Sequence, residues 1–490
     1  MSASEESPDG PAARWDRRDW ILLAGVTLLA VAVRVFYLWR MDLPVYDPWR
    51  HLLLIRNLRE AAGFTLFDSQ PYLWYSPVWY RLSYLLPGPA PTEWLAATLS
   101  AACAPLLYVV LRLEVGRGTR RAAAVGGLLG AASGPLVAFT CHYGPEALAL
   151  FLTLGGLLLV KGSRGFSGAF LGGLSLGIAL VARLSFAFNL LLFLPGLRRR
   201  ERVLGLACGL LPPLLLTWWR NHRIIEENAW VFTWDGLATP SAGFGPLSTL
   251  AVQLHPAVQE ALSRLHAIVV PWPEWLRDAD GYAWGSIVFM GCGVVGLLAS
   301  RRRGIILAGA ATLGYFLIFD RSMSSHFFRI YLAAFPALFL GVASYAARPS
   351  PALGRGSGWL GWGLVGLILL SGAGFLHPPA MYPLEMVTAP PELLGEEAYM
   401  VNSGFYHPES LAYRYPEKRF IGMPLGPERF EEFRVAHADY PAILWHDLSV
   451  QDELYRFLLG PGGYVVVREG ANRYGRRFRV LTRPSHEASE

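Results

Sequence analysis

About eleven apolar runs, each near the length of a membrane-crossing helix, fill this chain from Trp20 to Phe375. Few folds are open to such a pattern. In hydrocarbon every backbone N–H and C=O must be satisfied within the segment, so each run is expected to form a helix. The runs cover roughly Trp20–Trp39, Trp94–Leu113, Ala122–Thr140, Ala147–Val160, Phe166–Ala182, Leu184–Leu197, Val203–Trp219, Ala283–Ser300, Gly304–Phe319, Phe327–Ala346 and Gly358–Phe375. Several are short for a hydrocarbon core about 30 Å thick. No small-residue cleavage site follows the first run, which predicts a retained span behind a polar tail, not a signal peptide.

The loops orient the bundle. With the N-terminus inside, the basic groups Arg17/Arg18, Arg117/Arg120/Arg121, Lys161/Arg164, Arg198/Arg199/Arg200/Arg202, Arg301/Arg302/Arg303 and Arg348/Arg355 all fall in inner loops. That is what the positive-inside rule requires. An odd number of spans then puts the C-terminal region outside. The expected organisation is a cytoplasmic tail (1–19), a polytopic α-helical membrane domain (20–376) with outer loops at 41–93 and 220–282, and an extracytoplasmic α/β domain (377–490). In that last region AYMVNSG, KRFIGMP, AILWHDL, YVVVRE and FRVLTR read as strands. SLAYRY, PERFEEFRVAHA and VQDELYRFLL read as helices between them, giving a parallel or mixed sheet.

Hydrophobic residues make up 53% of the chain and charged ones 16%, which excludes an ordinary soluble globule. The net charge of +6 is spread over short loops and forms no stripe, so nucleic acid is excluded as a partner. Cys103, Cys141, Cys208 and Cys292 all lie in or beside apolar runs, with neither a disulfide framework nor metal-type spacing.

Against this orientation certain arginines stand out: Arg34, Arg40, Arg50, Arg56, Arg59, Arg81, Arg183, Arg220, Arg223, Arg321 and Arg329 face outward. One arginine snorkelling at a span end needs no function. Many on one face suggest a phosphate site. Between the first two runs, the stretch beginning at Asp47-Pro48, DPWRHLLLIRNLREAAG, reads as an amphipathic helix in the outer interface, ending near Gly63, and PYLWYSPVWYRLSYLL as an aromatic return belt. Asp47 before Pro48 suits a helix N-cap and equally a general base, because both need an acceptor oxygen and only the base needs a carboxylate. Arg50 and His51 follow it. His142, Tyr143 and Glu146 cluster in CHYGPEALALF, where Glu146 either meets the helix dipole or orients a substrate or cation. His326 and Arg329 open the tenth run, and Arg329, Arg183 and Arg220 suit a departing phosphate.

The series LLAVAVRVFYLWRMDLPVYDPWRHLLLIRNLREAAGFT, YSPVWYRLSYLL and FTCHYGPEALALFLTLGGLLL resembles the membrane core of the GT-C glycosyltransferases. It is most similar to the protein O-mannosyltransferase/aminoarabinose-transferase-like branch, with Arg34, Asp47, Pro77 and the Pro145–Glu146 pair at matching places. The resemblance covers about the first 220 residues well. It implies an inverting enzyme of the plasma (inner) membrane that takes a sugar from a polyprenyl-phosphate donor on the extracytoplasmic face. Asp47 would be the base and the acceptor a lipid, glycan or protein; Glu146, read from its own position, is the second candidate catalytic residue. Asp47-Pro48 lacks the second adjacent acid usual in that branch and is closer to oligosaccharyltransferase catalytic subunits. Trp445-His446-Asp447, however, departs from their WWDYG motif. A glycan ligase using a diphosphate carrier therefore stays open, as does a divalent cation as cofactor. A flippase of lipid-linked sugars is the third reading, with neither internal repeats nor midplane ionisable residues behind it.

Overall fold

A computed structural model gives a helical bundle followed by a five-stranded α/β unit. It describes residues 15–40, 48–59, 65–67, 70–71, 77–86, 89–114, 119–141, 144–163, 165–197, 199–232, 238–240, 281–319, 328–347, 357–376, 388–402, 407–424, 427–446 and 452–484. The first helices are α1 (Arg17–Arg40), α2 (Pro48–Arg59), α3 (Pro77–Tyr84), α4 (Pro89–Glu114), α5 (Thr119–Ala132), α6 (Gly134–Thr140), α7 (Glu146–Gly162) and α8 (Phe166–Ala182). They are followed by α9 (Leu190–Phe193), α10 (Arg200–Glu227), α11 (Gly281–Ala299), α12 (Arg303–Phe319), α13 (Phe335–Ala346) and α14 (Ser357–Gly372). Two small antiparallel pairs lie in the connections: β1 (Thr65–Phe67) with β2 (Gln70–Pro71), and β3 (Trp230–Phe232) with β4 (Ala238–Pro240).

Each apolar run falls on a helical segment. Among the described residues four helices are long and apolar enough to cross a membrane, or five with the bent α5–α6 pair as one. The run at Leu184–Leu197 is broken into 3-10 turns on either side of α9. There Asn189 turns inward and donates to the Ala333 carbonyl at 2.9 Å. The seventh run continues past Trp219 to Glu227, because RNHRIIEE carries helix-favouring i,i+4 side-chain pairs, the His222–Glu226 contact at 3.1 Å and the Arg223–Glu227 ion pair at 2.6 Å.

Small residues let the helices close up. A Cβ on Gly209 would lie 2.0 Å from the Phe170 carbonyl oxygen, and one on Gly173 2.2 Å from that of Leu206, so α8 and α10 meet backbone to backbone. At the α1 N-terminal end the fully buried Asp19 takes Arg112 Nε and Arg120 Nε at 3.0 Å each, with the Tyr108 hydroxyl at 3.2 Å. Such charges persist inside an apolar bundle only when paired. The hydropathy pattern gives no hint of this cluster, since its members come from three separate segments.

Between α5 and α6 the chain bends by 52°. Pro135 has no N–H to offer the Ala131 carbonyl, which is orphaned at the bend. Arg34 of α1, only 1% exposed, fills the gap. Its guanidinium donates to the carbonyls of Ala131 and Gly130 (2.8 Å for the latter) and to Ser100 Oγ at 3.0 Å. Arg34, grouped by sequence with the outward arginines, is therefore a structural donor in the bundle.

The C-terminal unit comprises β5 (Ala398–Val401), α15 (His407–Arg414), β6 (Arg419–Gly422), α16 (Phe430–Ala436), β7 (Ala442–His446), α17 (Asp452–Leu459), β8 (Val465–Ala471) and β9 (Arg477–Thr482). The sheet order is β6-β5-β7-β9-β8, with β5 parallel to both neighbours and β9 antiparallel to β7 and β8. Strands β5 and β7 are buried along their whole length, as parallel strands covered on both faces should be. The mixed sheet and all three helices match the sequence pattern.

His446, at the end of β7 against Phe478, is pushed down to about 4 from 6.5 by burial, and Arg476 adds repulsion. The unfolded chain therefore takes up this proton first. The stability tied to neutral His446 is intact above pH 6.5 and is lost as the pH falls towards about 4. This amounts to at most about 3 kcal/mol. Thermal melts of the full chain in detergent should show a smaller drop between pH 7 and 4.5 in His446→Gln than in wild type. An equal drop would remove His446 as the acid-sensitive group.

Candidate functional site

Between α1 and α4 the described helices α2 and α3 pack their apolar side chains against protein. In α2 the residues from His51 to Ile55 are all buried, and in α3 Trp79 and Tyr80 are fully enclosed. Helix α2 is packed against α3, β1 and α15. Its described part runs from Pro48 to Arg59, and the expected stop near Gly63 lies outside the described residues. The amphipathic pattern is real, but protein, not lipid, covers its apolar side.

Around this helix three chain segments converge. His51 Nδ1 lies 2.6 Å from the Tyr80 hydroxyl. Glu146 is the first residue of α7, behind Pro145 in the N-cap position, and is 4% exposed. Its Oε1 pairs with Arg183 Nη2 at 3.2 Å. Arg183 is the extended residue that ends α8, where its own N–H still closes the helix onto Ala179 at 2.8 Å. Gly144 ties the cluster together. A Cβ there would stand 2.2 Å from Glu146 Oε2 and 3.1 Å from His51 Nε2, so both side chains reach into the space that glycine leaves open.

The result is a buried polar cluster of a carboxylate, a guanidinium, an imidazole and a phenol. The Tyr80 hydroxyl fixes the His51 ring and biases its tautomer. Arg183 is shared with Glu146, so its charge is partly compensated before any ligand arrives. Among the described residues no group of three His, Cys, Asp or Glu side chains is arranged to hold a metal ion. A divalent cation at Glu146 would compete with Arg183 for the same carboxylate.

The structure thus brings together His51, Glu146 and Arg183 of the residues singled out by sequence. Arg220 lies within α10, donates to Asn221 Oδ1 at 3.0 Å and feels the charge of Arg81 from α3. Arg50 and Arg329 fall at backbone positions in α2 and in the 3-10 segment Phe328–Ala334. Asp47, His142, Tyr143 and His326 lie outside the described residues. Two members were not anticipated. Tyr80 sits in a string of aromatics where nothing marks it, and Gly144 could have been noticed only as the small residue before Pro145-Glu146.

No protein-family model matches the chain, and no curated protein matches it by sequence. Solved structures do. The Archaeoglobus fulgidus oligosaccharyltransferase tethered to an acceptor peptide aligns at TM-score 0.51 and 13% identity, over 87% of this chain and 69% of that one. The arabinofuranosyltransferase AftD from Mycobacteria aligns at 0.50 and 13% identity, over 96% of this chain and 42% of that one. ArnT from Cupriavidus metallidurans bound to undecaprenyl phosphate aligns at 0.48 and 13% identity, over 96% and 99%. These neighbours are GT-C glycosyltransferases, and the first two establish that this chain has their fold.

Proposed function

We propose that the protein is an inverting membrane glycosyltransferase that moves a sugar from a polyprenyl-phosphate carrier to an acceptor on the extracytoplasmic face. The observation that carries this is the convergence of His51, Glu146 and Arg183 over Gly144, beside the helix that starts directly after Asp47. The bundle then spans the membrane about eleven times with its N-terminus inside.

In this mechanism an acceptor hydroxyl or amine attacks the sugar C1 while the C1–O bond to the lipid phosphate breaks. The acceptor proton passes to the Asp47 carboxylate, and the released electron pair leaves as negative charge on the phosphate. Arginine stabilises that charge where it develops, Arg183 first and Arg50, Arg220 and Arg329 as further candidates. Glu146 holds Arg183 in place and lines the acceptor side. His51, fixed by Tyr80, donates or accepts at a sugar or phosphate oxygen. The lipid tail lies between helices.

The test is transfer by the purified full chain in nanodiscs from a panel of undecaprenyl-phosphate-linked sugars, read by mass spectrometry of the released undecaprenyl phosphate. Release with formation of a glycoside is expected for at least one donor, and movement of an intact lipid-linked sugar across the bilayer would instead favour a flippase. Gly144→Ala should lower that turnover about a hundredfold, because displacing Glu146 and His51 by an ångström spoils the geometry. Unchanged turnover in folded Gly144→Ala protein would separate this cluster from the chemistry.

A further inference from the structure

Helix α15 of the C-terminal unit ends at Arg414, and its last carbonyls need partners from elsewhere. The Leu411 carbonyl has one, the Tyr415 N–H at 2.9 Å. The next donor in line would be residue 416, which is a proline and has no N–H. Its missing bond belongs to Ala412. Arg56 of α2 supplies it: Nη2 donates to the Ala412 carbonyl at 2.9 Å and Nη1 to the Tyr413 carbonyl at 3.3 Å. The guanidinium carbon also stands 5.9 Å from the centre of the Tyr413 ring. A cation at this end of a helix meets the negative pole of its dipole, and a planar fork can reach two carbonyls where an ammonium offers one point charge.

Arg56 lies five residues after His51 on the same short helix. One end of α2 carries His51 into the polar pocket and follows Asp47. The other end is bolted to the C-terminal unit.

We infer that the C-terminal α/β unit positions the catalytic helix, with Arg56 as the clamp between them. This rests on the reading of the pocket given above, but the clamp itself can be tested without any substrate. Arg56 is a positioning residue in this account: it touches no reacting atom and acts through α2. A second contact runs alongside, Trp230 of β3 packing edge-on against Phe433 of α16 at 5.3 Å, so the unit keeps a hold on the bundle when the clamp is cut.

The test uses the full chain in nanodiscs, diethyl pyrocarbonate as the probe and peptide mass mapping as the readout. His51 is 2% exposed and should be protected in wild type, whereas His222 on α10, half-buried, serves as an internal reference. In Arg56→Ala, His51 should be modified about tenfold faster relative to His222, because charge-assisted bonds to two carbonyls are lost and α2 opens locally. Arg56→Met keeps the apolar stem and loses the donors, so it should do the same if the alanine variant fails to fold. Arg56→Lys should fall between, holding one carbonyl. His51 remaining as protected as in wild type in folded Arg56→Met would overturn the clamp. Loss of protection without loss of turnover would keep the clamp and count against the catalytic role of α2, so the two failures are distinguishable.

Discussion

Asp47→Asn is expected to reduce turnover about 10²–10⁴-fold, with the protein still folded and its melting temperature nearly unchanged. The amide keeps an acceptor oxygen and so preserves the N-cap that Asp47-Pro48 suits by sequence, whereas the basicity needed to take a proton from the acceptor is gone. Asp47→Ala should abolish turnover to the same degree and also lower stability by about 1 kcal/mol, the worth of the lost cap. The pair therefore separates the two roles of one side chain. Activity near wild type in both variants would leave Asp47 as a cap only, and the proposed mechanism would have lost its base.

The second large effect concerns the Glu146–Arg183 pair, whose side chains are 6% and 14% exposed. Glu146→Ala removes the carboxylate and leaves the guanidinium in a low-dielectric pocket without it. Breaking one side of a buried pair costs about 3–5 kcal/mol, whereas replacing both by apolar groups can be close to neutral. Glu146→Ala should accordingly lose stability sharply in thermal or denaturant unfolding, and Glu146→Ala/Arg183→Met should recover most of it. Turnover should stay lost in both, because the double variant restores packing but not the phosphate contact. A single variant as stable as wild type would mean that the ion pair contributes little to the fold. A double variant that regains turnover would remove Arg183 from the phosphate site.

Much of the architecture was legible in the sequence because the physics that sets it is local. Apolar length predicted where helices fall, and alternation of strand and helix patterns predicted a parallel or mixed C-terminal sheet, which proves mixed. What escaped was set by partners distant in the chain. Arg34 and Arg56 had looked like phosphate ligands, yet both donate to carbonyls orphaned by a proline four positions on, Pro135 and Pro416 respectively. The prolines were visible; which arginine would answer each was not. The buried Asp19 cluster escaped for the same reason, since its arginines come from α4 and α5. Helix α2 shows the limit of an amphipathic pattern, which marks a covered face without saying whether lipid or protein covers it.

Within the site, Glu146, Arg183 and His51 could be chosen individually from their sidedness and residue type. Their convergence could not, because it depends on Gly144 and on His51 of α2 being brought beside it. Tyr80 was hidden among neighbouring aromatics. The reading of Asp47 rests on its place before α2 and on the resemblance of the surrounding motifs.

The most direct check is a cryo-EM map of the wild-type chain in nanodiscs with undecaprenyl phosphate added. The account predicts phosphate density in the pocket beside α2, within about 3 Å of an arginine nitrogen and on the same side as the Asp47 carboxylate. Phosphate density bound at the opposite end of the bundle, near Asp19 and Arg120, with Asp47 turned away from every arginine, would contradict it.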